Sequence, residues 1–470
     1  MTAVLLSKPR GGCPGASPCG HPPYLPRGEE TTVYDHRKLG RELELFDTDP
    51  LIGSGLPYWL PAGAVVRHTL EEYIRGVERR AGYRHVYSPV LGKRELYEIS
   101  GHWSHYRDDM FPPMDLSGER LGGERLGGER LGGERLGGER LGGEQMVLRP
   151  SLCPHHALIY RSRAHSYRDL PLRMAELGGM YRSELSGVLG GLTRVRAIQL
   201  NDAHIFCAPE QVADEARAAL ELIREAYGAL GVSPARYRLS LPGPGGKYVG
   251  DPGMWRRSAA LLTEVLDAAG VAYEAVEGEA AFYGPKIDVQ IVDSAGREAT
   301  LSTVQIDFHQ PERFDLRYAG PDGAMRRPVM VHRSVIGSVE RAVAHLIESH
   351  GGAFPPWLAP VQLVALPISD AEVPHALALV RQAADRGLRA EAAGPQRGTL
   401  GARVRAARLV PYQAIIGARE AADERVSLRL RDGRRLEARP AAEVLAGIDL
   451  LTSAHSTDLW TDPRGQAGGR

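Results

Sequence analysis

Cysteine is scarce in this chain, four residues in 470, too few for a disulfide framework. Long apolar runs are missing as well: no stretch approaches the roughly 18 residues that a bilayer span needs. The amino terminus has no apolar core of the kind a secretory signal carries. A soluble protein of a reducing cytosol, cytoplasmic and without a membrane partner, is the expectation. Net charge is lacking too, since Lys plus Arg and Asp plus Glu stand at 58 each. No global field therefore advertises nucleic acid; DNA is not an expected partner, and any RNA contact has to come from local patches. No close CxxC-type pair announces a metal. The 43% hydrophobic and 25% charged residues that remain describe an ordinary globular chain with room for two or three domains.

Residues 1–34 are rich in Gly and Pro and carry Cys13 and Cys19; such a tail reads as disordered, and neither cysteine is given a metal role. A charged helical stretch from residue 35 leads into GLPYWLPAGAVVRHTLEEYIRGVERRAGYRHVYSPVL. There Val66, Leu70, Tyr73, Ile74 and Val77 recur at helical spacing, and Gly82 ends the helix before a short strand. The pentapeptide GERLG occurs five times in tandem from Gly118 to Gly142. Its glycines disfavour regular structure and its Glu and Arg cancel, so 118–144 reads as an inserted surface loop and not as a basic RNA-contacting arm. The character changes near FPPWLAP, Phe354–Pro360: alternating strand and helix patterns from VQLVALPI to ERVSLRLRDG make a small α/β domain. The expected organisation is a domain over 35–355, a second over 356–450 and a tail over 451–470.

Two stretches carry chemistry on their own residues. If AIQLNDAHIFC is a strand, Ile198, Leu200, Asp202, His204 and Phe206 share one face and Cys207 takes the other, so the HxxC spacing of His204 and Cys207 does not make a metal pair. In GSVERAVAHLIE, Val339, Val343, Leu346 and Ile347 form an apolar helical stripe; Arg341 falls off it and is free to face a ligand. Arginines suit phosphate because the planar guanidinium binds oxygen pairs and stays charged.

The segments RPSLCPHH, SYRDLPLRMAELGGMYRSELSGVLGGLTRVRAIQLNDAHIFC and VMVHRSVIGSVER resemble those of threonyl-tRNA synthetases, over roughly residues 35–448. The resemblance implies an α+β fold: a class II synthetase catalytic domain built on an antiparallel sheet, followed by an α/β anticodon-binding domain. It implies a homodimer joined through the long helix and strand of motif 1. The reaction implied is ATP-dependent activation of threonine and its transfer to the 3′ end of tRNA, with Mg2+ accompanying ATP. By position, Arg182 is the motif 2 arginine on the α-phosphate, Glu184 reads the adenine amino group, Arg194 meets the terminal phosphate, and Arg341 is the motif 3 arginine. Cys153, His204 and His332 match ligands of a Zn2+ ion. Asp202 matches the aspartate on the substrate amine and hydroxyl, while Tyr283, Lys286, Gln305 and Ser338 match further pocket positions. In the second domain Glu420 and Arg429 match positions facing the anticodon, and Arg403, Arg405 and Arg408 are candidates for a phosphate-contacting helix face. A zinc with three protein ligands keeps coordination positions open; the resemblance implies that the threonine amino and hydroxyl groups occupy them, which the near-isosteric valine cannot do, whereas an apolar pocket separates such a pair by only about 1–3 kcal/mol.

The chain also departs from the family pattern. Members commonly read GFTQDDAHIFC; here the adenine-stacking phenylalanine is Ile198 and the glutamine is Leu200. Ser151 and Leu152 stand where Met-Asn is frequent, and Thr300 replaces a glutamine. These changes leave two other readings open: a paralogue delivering threonine to an acceptor other than tRNA, or a weakly active protein that binds RNA or adenylate. No room precedes residue 35 for the N-terminal editing region of many bacterial members.

Overall fold

The computed structural model describes residues 33–116, 144–245 and 248–461. Residues 1–32, with Cys13 and Cys19, and the whole GERLG repeat, Gly118–Gly142, lie outside the described residues.

An eight-stranded sheet organises the larger part of the chain. Its strands are β1 (Arg84–His85), β2 (Leu172–Tyr181), β3 (Ala197–Cys207), β4 (Arg236–Leu241), β5 (Tyr273–Glu277), β6 (Lys286–Val292), β7 (Glu298–Asp307) and β8 (Val329–Ser334). They lie in the order β5-β4-β6-β7-β8-β3-β2-β1. The pairs β5–β4 and β2–β1 are parallel and the rest antiparallel. Helices α1 (His36–Glu42), α2 (Pro61–Arg80), α3 (Cys153–Arg161), α4 (Val212–Leu230), α5 (Pro252–Ala268) and α6 (Val339–His350) accompany it.

Helix α2 buries the stripe expected of it, Val66, Leu70, Tyr73, Ile74 and Val77. It also buries Glu78 at 0% exposure. That carboxylate takes Arg333 Nη1 of β8 at 2.7 Å, Asn201 Nδ2 of β3 at 2.8 Å and His85 Nε2 of β1 at 2.8 Å. Burial alone would raise its pKa, but the Arg333 guanidinium and the bonds from His85 and Asn201 hold it below the ordinary value. Arg333 lies over the Tyr83 ring as well, 4.2 Å from its centroid.

Glycine is needed at Gly178 of β2. A Cβ there would stand 2.4 Å from Leu152 Cδ2 and 2.8 Å from Arg149 Nη2. Its absence lets the segment entering α3 lie directly on the sheet, where Arg149 reaches Glu176 at 3.0 Å.

A second sheet follows, β9 (Leu363–Pro367), β10 (Ala390–Ala392), β11 (Tyr412–Ile416), β12 (Arg425–Leu430) and β13 (Arg435–Pro440), in the order β10-β9-β11-β12-β13. Helices α7 (Val373–Asp385), α8 (Leu400–Ala406) and α9 (Ala441–Ser453) belong to it. Leu363, Leu379, Tyr412, Leu445 and Ile448 share its core. The stretch read as a tail from residue 451 begins inside α9, and Trp460 is buried against Gly447. His455 packs on Tyr73 and Trp357, with ring centroids 4.7 and 4.9 Å away. Arg403 departs from the expectation of a phosphate contact. It is 3% exposed and donates to the carbonyls of Pro367, Ala393 and Gly398, so its charge serves the interior; Arg405 and Arg408 remain exposed.

The buried pair gives a first prediction. Glu78→Gln keeps the volume but leaves the Arg333 charge uncompensated, and removal of one partner of such a pair costs about 3–5 kcal/mol. Urea titration followed by tryptophan fluorescence is expected to show that loss; a change below about 1 kcal/mol would remove Glu78 from its organising role.

Candidate active site

One cleft of about 520 Å³ crosses the sheet and gathers side chains from β2, β3, β4, β6, β7 and β8 and the start of α6. Arg182, Glu184, Arg194, Asp202, Tyr283, Lys286, Gln305, His332, Ser338 and Arg341 all line it. Cys153 and His204 lie behind its wall, 1% and 0% exposed. Glu420 and Arg429 are placed in the second domain. The carboxylate of Glu420 accepts from Ser427 Oγ at 2.8 Å and from the Gly417 amide, while Arg429 sits half-buried on β12 opposite Gln413.

The thiol and two imidazoles meet because of strand register. β3 and β8 pair with His204 directly opposite His332, the rings 4.6 Å apart, and α3 opens at Cys153 above them. The sulfur and one nitrogen of each histidine lie within 4.8 Å of one another. Zinc bonds of roughly 2.0–2.3 Å would draw these donors a little closer. His204 Nε2 is buried with no hydrogen-bond partner, while its Nδ1 is 2.7 Å from His156 Nδ1. His332 turns Nε2 to Asp307 Oδ2 at 2.8 Å, which leaves Nδ1 toward the cluster. Each imidazole thus has one nitrogen oriented by a neighbour and the other free for a cation, the arrangement that metal ligands adopt. Burial pushes the Cys153 thiol well up and the His204 imidazole well down, leaving both uncharged where a cation would favour the thiolate and the neutral ring. A sulfur with two imidazole nitrogens fits zinc.

Behind these residues stands Glu176 of β2, 3% exposed. It takes His156 Nε2 at 3.1 Å, Arg149 at 3.0 Å and Ser88 Oγ at 2.7 Å. Burial would raise its pKa, yet His156, Ser88 and Arg149 hold it at about 2. Neither His156 nor Glu176 stands out in sequence; the signal available was the histidine doublet His155-His156, one proline beyond Cys153. Asp202 projects into the cleft with Oδ2 3.9 Å from His204 Nε2. Burial lifts its pKa to about 6 against the pull of His156, His332 and Arg333. Tyr283 stacks on His332 with centroids 4.8 Å apart, and its hydroxyl donates to Gln305 Oε1 at 2.9 Å.

At the other end arginines converge. Arg341 donates to the Thr300 carbonyl at 2.9 Å, and its pKa is lowered by burial and then by the like charges of Arg182 and Arg194. Cations held this close favour an anion among them. Arg194 pairs with Glu184 at 2.8 Å. Between the two ends Met180, Ile198 and Leu200 supply apolar surface. Lys286 is anchored to Asp288 at 2.9 Å, and the Ser338 hydroxyl caps α6 by accepting the Arg341 amide at 3.1 Å.

Comparison with known proteins accords with this geometry. A family model described as "tRNA synthetase class II core domain (G, H, P, S and T)" matches residues 138–350, and one described as "Anticodon binding domain" matches 362–449. Among curated proteins, the threonine–tRNA ligase of Geobacillus kaustophilus is 46% identical over 411 residues, 86% of this chain and 59% of that protein. That of Streptococcus agalactiae is 46% identical over 431 residues, 90% of this chain and 63% of that protein. The chain therefore spans about three fifths of the length of these relatives. Among solved structures, a threonyl-tRNA synthetase chain from Cryptosporidium parvum, described as its RNA binding domain, superposes with a TM-score of 0.78 at 34% identity. The match covers 90% of this chain and 99% of that one. Giardia lamblia prolyl-tRNA synthetase, with a TM-score of 0.65 at 18% identity over 87% of this chain and 73% of its own, shares the fold.

Beside Arg341 lies a second titratable group. Glu340, 4% exposed, accepts the Gln199 amide of β3 at 3.0 Å. Burial raises its pKa to about 7. A carboxyl raised on folding binds more protons in the native than in the unfolded state, so it lowers stability as pH rises from the ordinary carboxylate range through about 7. Glu340→Gln is expected to flatten that part of the stability–pH curve and to gain relative to the parent above neutrality. Parallel curves for the two proteins in thermal melts from acid to mildly alkaline pH would refute the assignment.

Proposed function

We propose that this chain, which belongs to the threonyl-tRNA synthetase family, activates threonine with ATP and transfers it to the 3′ end of threonine tRNA. The observation that carries the reading is one cleft with Arg182, Arg194 and Arg341 at one end and, at the other, His332 in its wall with Cys153 and His204 clustered directly behind it. The first set suits a nucleotide's phosphates and the second a metal-assisted amino-acid pocket.

Adenylation joins the threonine carboxylate to the α-phosphorus and releases pyrophosphate, so negative charge gathers on the phosphates as the bond breaks. Arg182 is assigned to the α-phosphate, and Arg341, half-buried beside it, adds fixed positive charge. Glu184 and Arg194 exchange their mutual ion pair for the adenine amino group and the terminal phosphate; an exposed pair of this kind is held by about 1 kcal/mol or less. Met180 and Ile198 pack on the base, with Mg2+ accompanying ATP. At the amino-acid end Asp202 receives the substrate ammonium, and Tyr283 and Gln305 close the wall above His332. A zinc ion held by Cys153, His204 and His332 would offer coordination positions to both the threonine amine and the threonine hydroxyl, and valine has no group for the second. The second domain is assigned to the anticodon, with Glu420 and Arg429 facing it, and the chain is assigned to a homodimer through α2 and β1. The domain break is placed at Phe354–Pro360.

Threonine-dependent ATP–pyrophosphate exchange by the zinc-loaded protein tests the assignment. Exchange with threonine, measurable exchange with serine and none with valine are the expected results. Exchange with valine, or none with any of the three, would reject it. Cys153→Ala is expected to lose bound zinc on elemental analysis and about 100-fold in threonine-dependent exchange. Full zinc content in that variant would strike Cys153 from the ligand set.

A further inference from the structure

We propose that His36, at the start of α1 and outside the cleft, is the positioning residue that sets the loop presenting Arg194. This rests on the assignment of Arg194 to the terminal phosphate of ATP.

His36 is 5% exposed and bridges two elements remote in sequence. Its Nδ1 lies 2.7 Å from Glu348 Oε1, in the last turn of α6, and its backbone amide reaches the same oxygen at 3.3 Å. Its Nε2 lies 3.2 Å from the Leu192 amide nitrogen. A backbone N–H can only donate, so Nε2 is the acceptor and the ring proton sits on Nδ1, pointing at Glu348. The carboxylate thus selects the tautomer that can hold the loop.

Loop and histidine fit each other closely. Gly191 has φ +56°, and a Cβ there would fall 2.4 Å from His36 Nε2 and 2.6 Å from Arg37 Cγ. Glycine is what allows the loop to rest on the ring. A turn follows in which the amide and hydroxyl of Thr193 both donate to the Gly190 carbonyl, at 2.9 and 2.6 Å. Leu192 and Val195 are buried on either side, and Arg194 between them projects with 51% of its side chain exposed. From the opposite side Arg341 Nε contacts the Thr193 carbonyl at 3.4 Å. The loop is therefore gripped from both ends of α6, by Arg341 at its start and by Glu348, through His36, at its finish. An arginine on a loop holds a phosphate well only if the loop is already in place, because ordering it on binding subtracts from the affinity.

Two substitutions separate the two halves of the bridge. Asparagine can place its amide nitrogen near the position of Nδ1 and so keeps the bond to Glu348 while losing the acceptor for Leu192. Glutamine can place its amide oxygen near Nε2 and keeps the loop bond. In pyrophosphate exchange by the full chain, His36→Asn is expected to raise the KM for ATP about tenfold with the KM for threonine unchanged, the size of one lost hydrogen bond. His36→Gln is expected to stay within about threefold of the parent, since it keeps that bond. Gly191→Ala drives a methyl group against the ring from the loop side and is expected to raise the ATP KM as well; it serves if His36→Asn does not fold. Arg194→Ala separates the two levels of the reading. A raised ATP KM in that variant beside an unchanged one in His36→Asn and Gly191→Ala overturns the role of His36 alone. An unchanged ATP KM in Arg194→Ala overturns the phosphate assignment and the inference with it. Equal rises in both KM values with a lower melting temperature would mark His36 as merely structural.

Discussion

The Glu78 carboxylate, buried under the sheet, is the constraint from which the site follows. It takes Arg333 of β8 and Asn201 of β3 at the same time, and those residues directly follow His332 and directly precede Asp202. Strand alternation sends Arg333 and Asn201 down to α2, so His332 and Asp202 must point the other way, into the cleft. A slip of one residue in either strand would bring the histidine to the helix and leave the guanidinium facing the ligand. A buried cation and a buried amide on one carboxylate make such a slip costly, because each would be left buried and unpaired.

Glu176 plays the corresponding part on the cleft side. It holds Arg149, ahead of α3, and His156, inside it, and so fixes the helix whose first residue is Cys153. His156 in turn orients His204. Three donors from three separated segments therefore converge without any of them being close in sequence: two strands set by Glu78 and a helix set by Glu176. The same dependence bears on Cys153 and His204, whose burial favours the uncharged form of each. Asp307 is engaged by His332 and Glu176 by His156 and Arg149, so the desolvation of the Cys153 thiol and the His204 imidazole is left for a cation to relieve.

Much of this was legible in the residues, for physical reasons that differ from place to place. The stripe from Val66 to Val77 announced α2 because a 3.6-residue repeat admits few other arrangements, and alternation in AIQLNDAHIFC separated His204 from Cys207, which the structure packs into the core. The resemblance to threonyl-tRNA synthetases located the cleft residues that the structure brings together. Contacts made across long separations by groups with no periodicity were not legible. Glu78 falls on the apolar stripe, four residues after Ile74, where no sequence pattern names the partners of a charge; Arg403 reads as a surface cation although three carbonyls enclose it, and His36 belongs to a stretch that reads only as a charged helix. In each case the partner is a backbone group or a side chain that only the folded chain supplies.

The departures from the family pattern take on a shape once they are placed. Ile198 lies across from Met180 in the β2–β3 ladder, and Leu200 bridges to Ser338 where α6 begins. Together they line the cleft between its arginine end and its buried thiol and imidazoles. Replacing an aromatic ring and an amide there removes a stacking partner and a hydrogen-bonding group while leaving the charged ends in place. Stacking of a base on an aromatic side chain is worth about 1–3 kcal/mol, of which a branched aliphatic side chain keeps the apolar-contact share. On the proposed reading, then, the substitutions tax the grip on adenine and leave the phosphate and threonine contacts to the residues that Glu78, Glu176 and His36 hold in position. Because that grip is loosened at the base, more of the nucleotide's placement falls to the arginine end, and the setting of the Arg194 loop matters more here than it would beneath an aromatic ring.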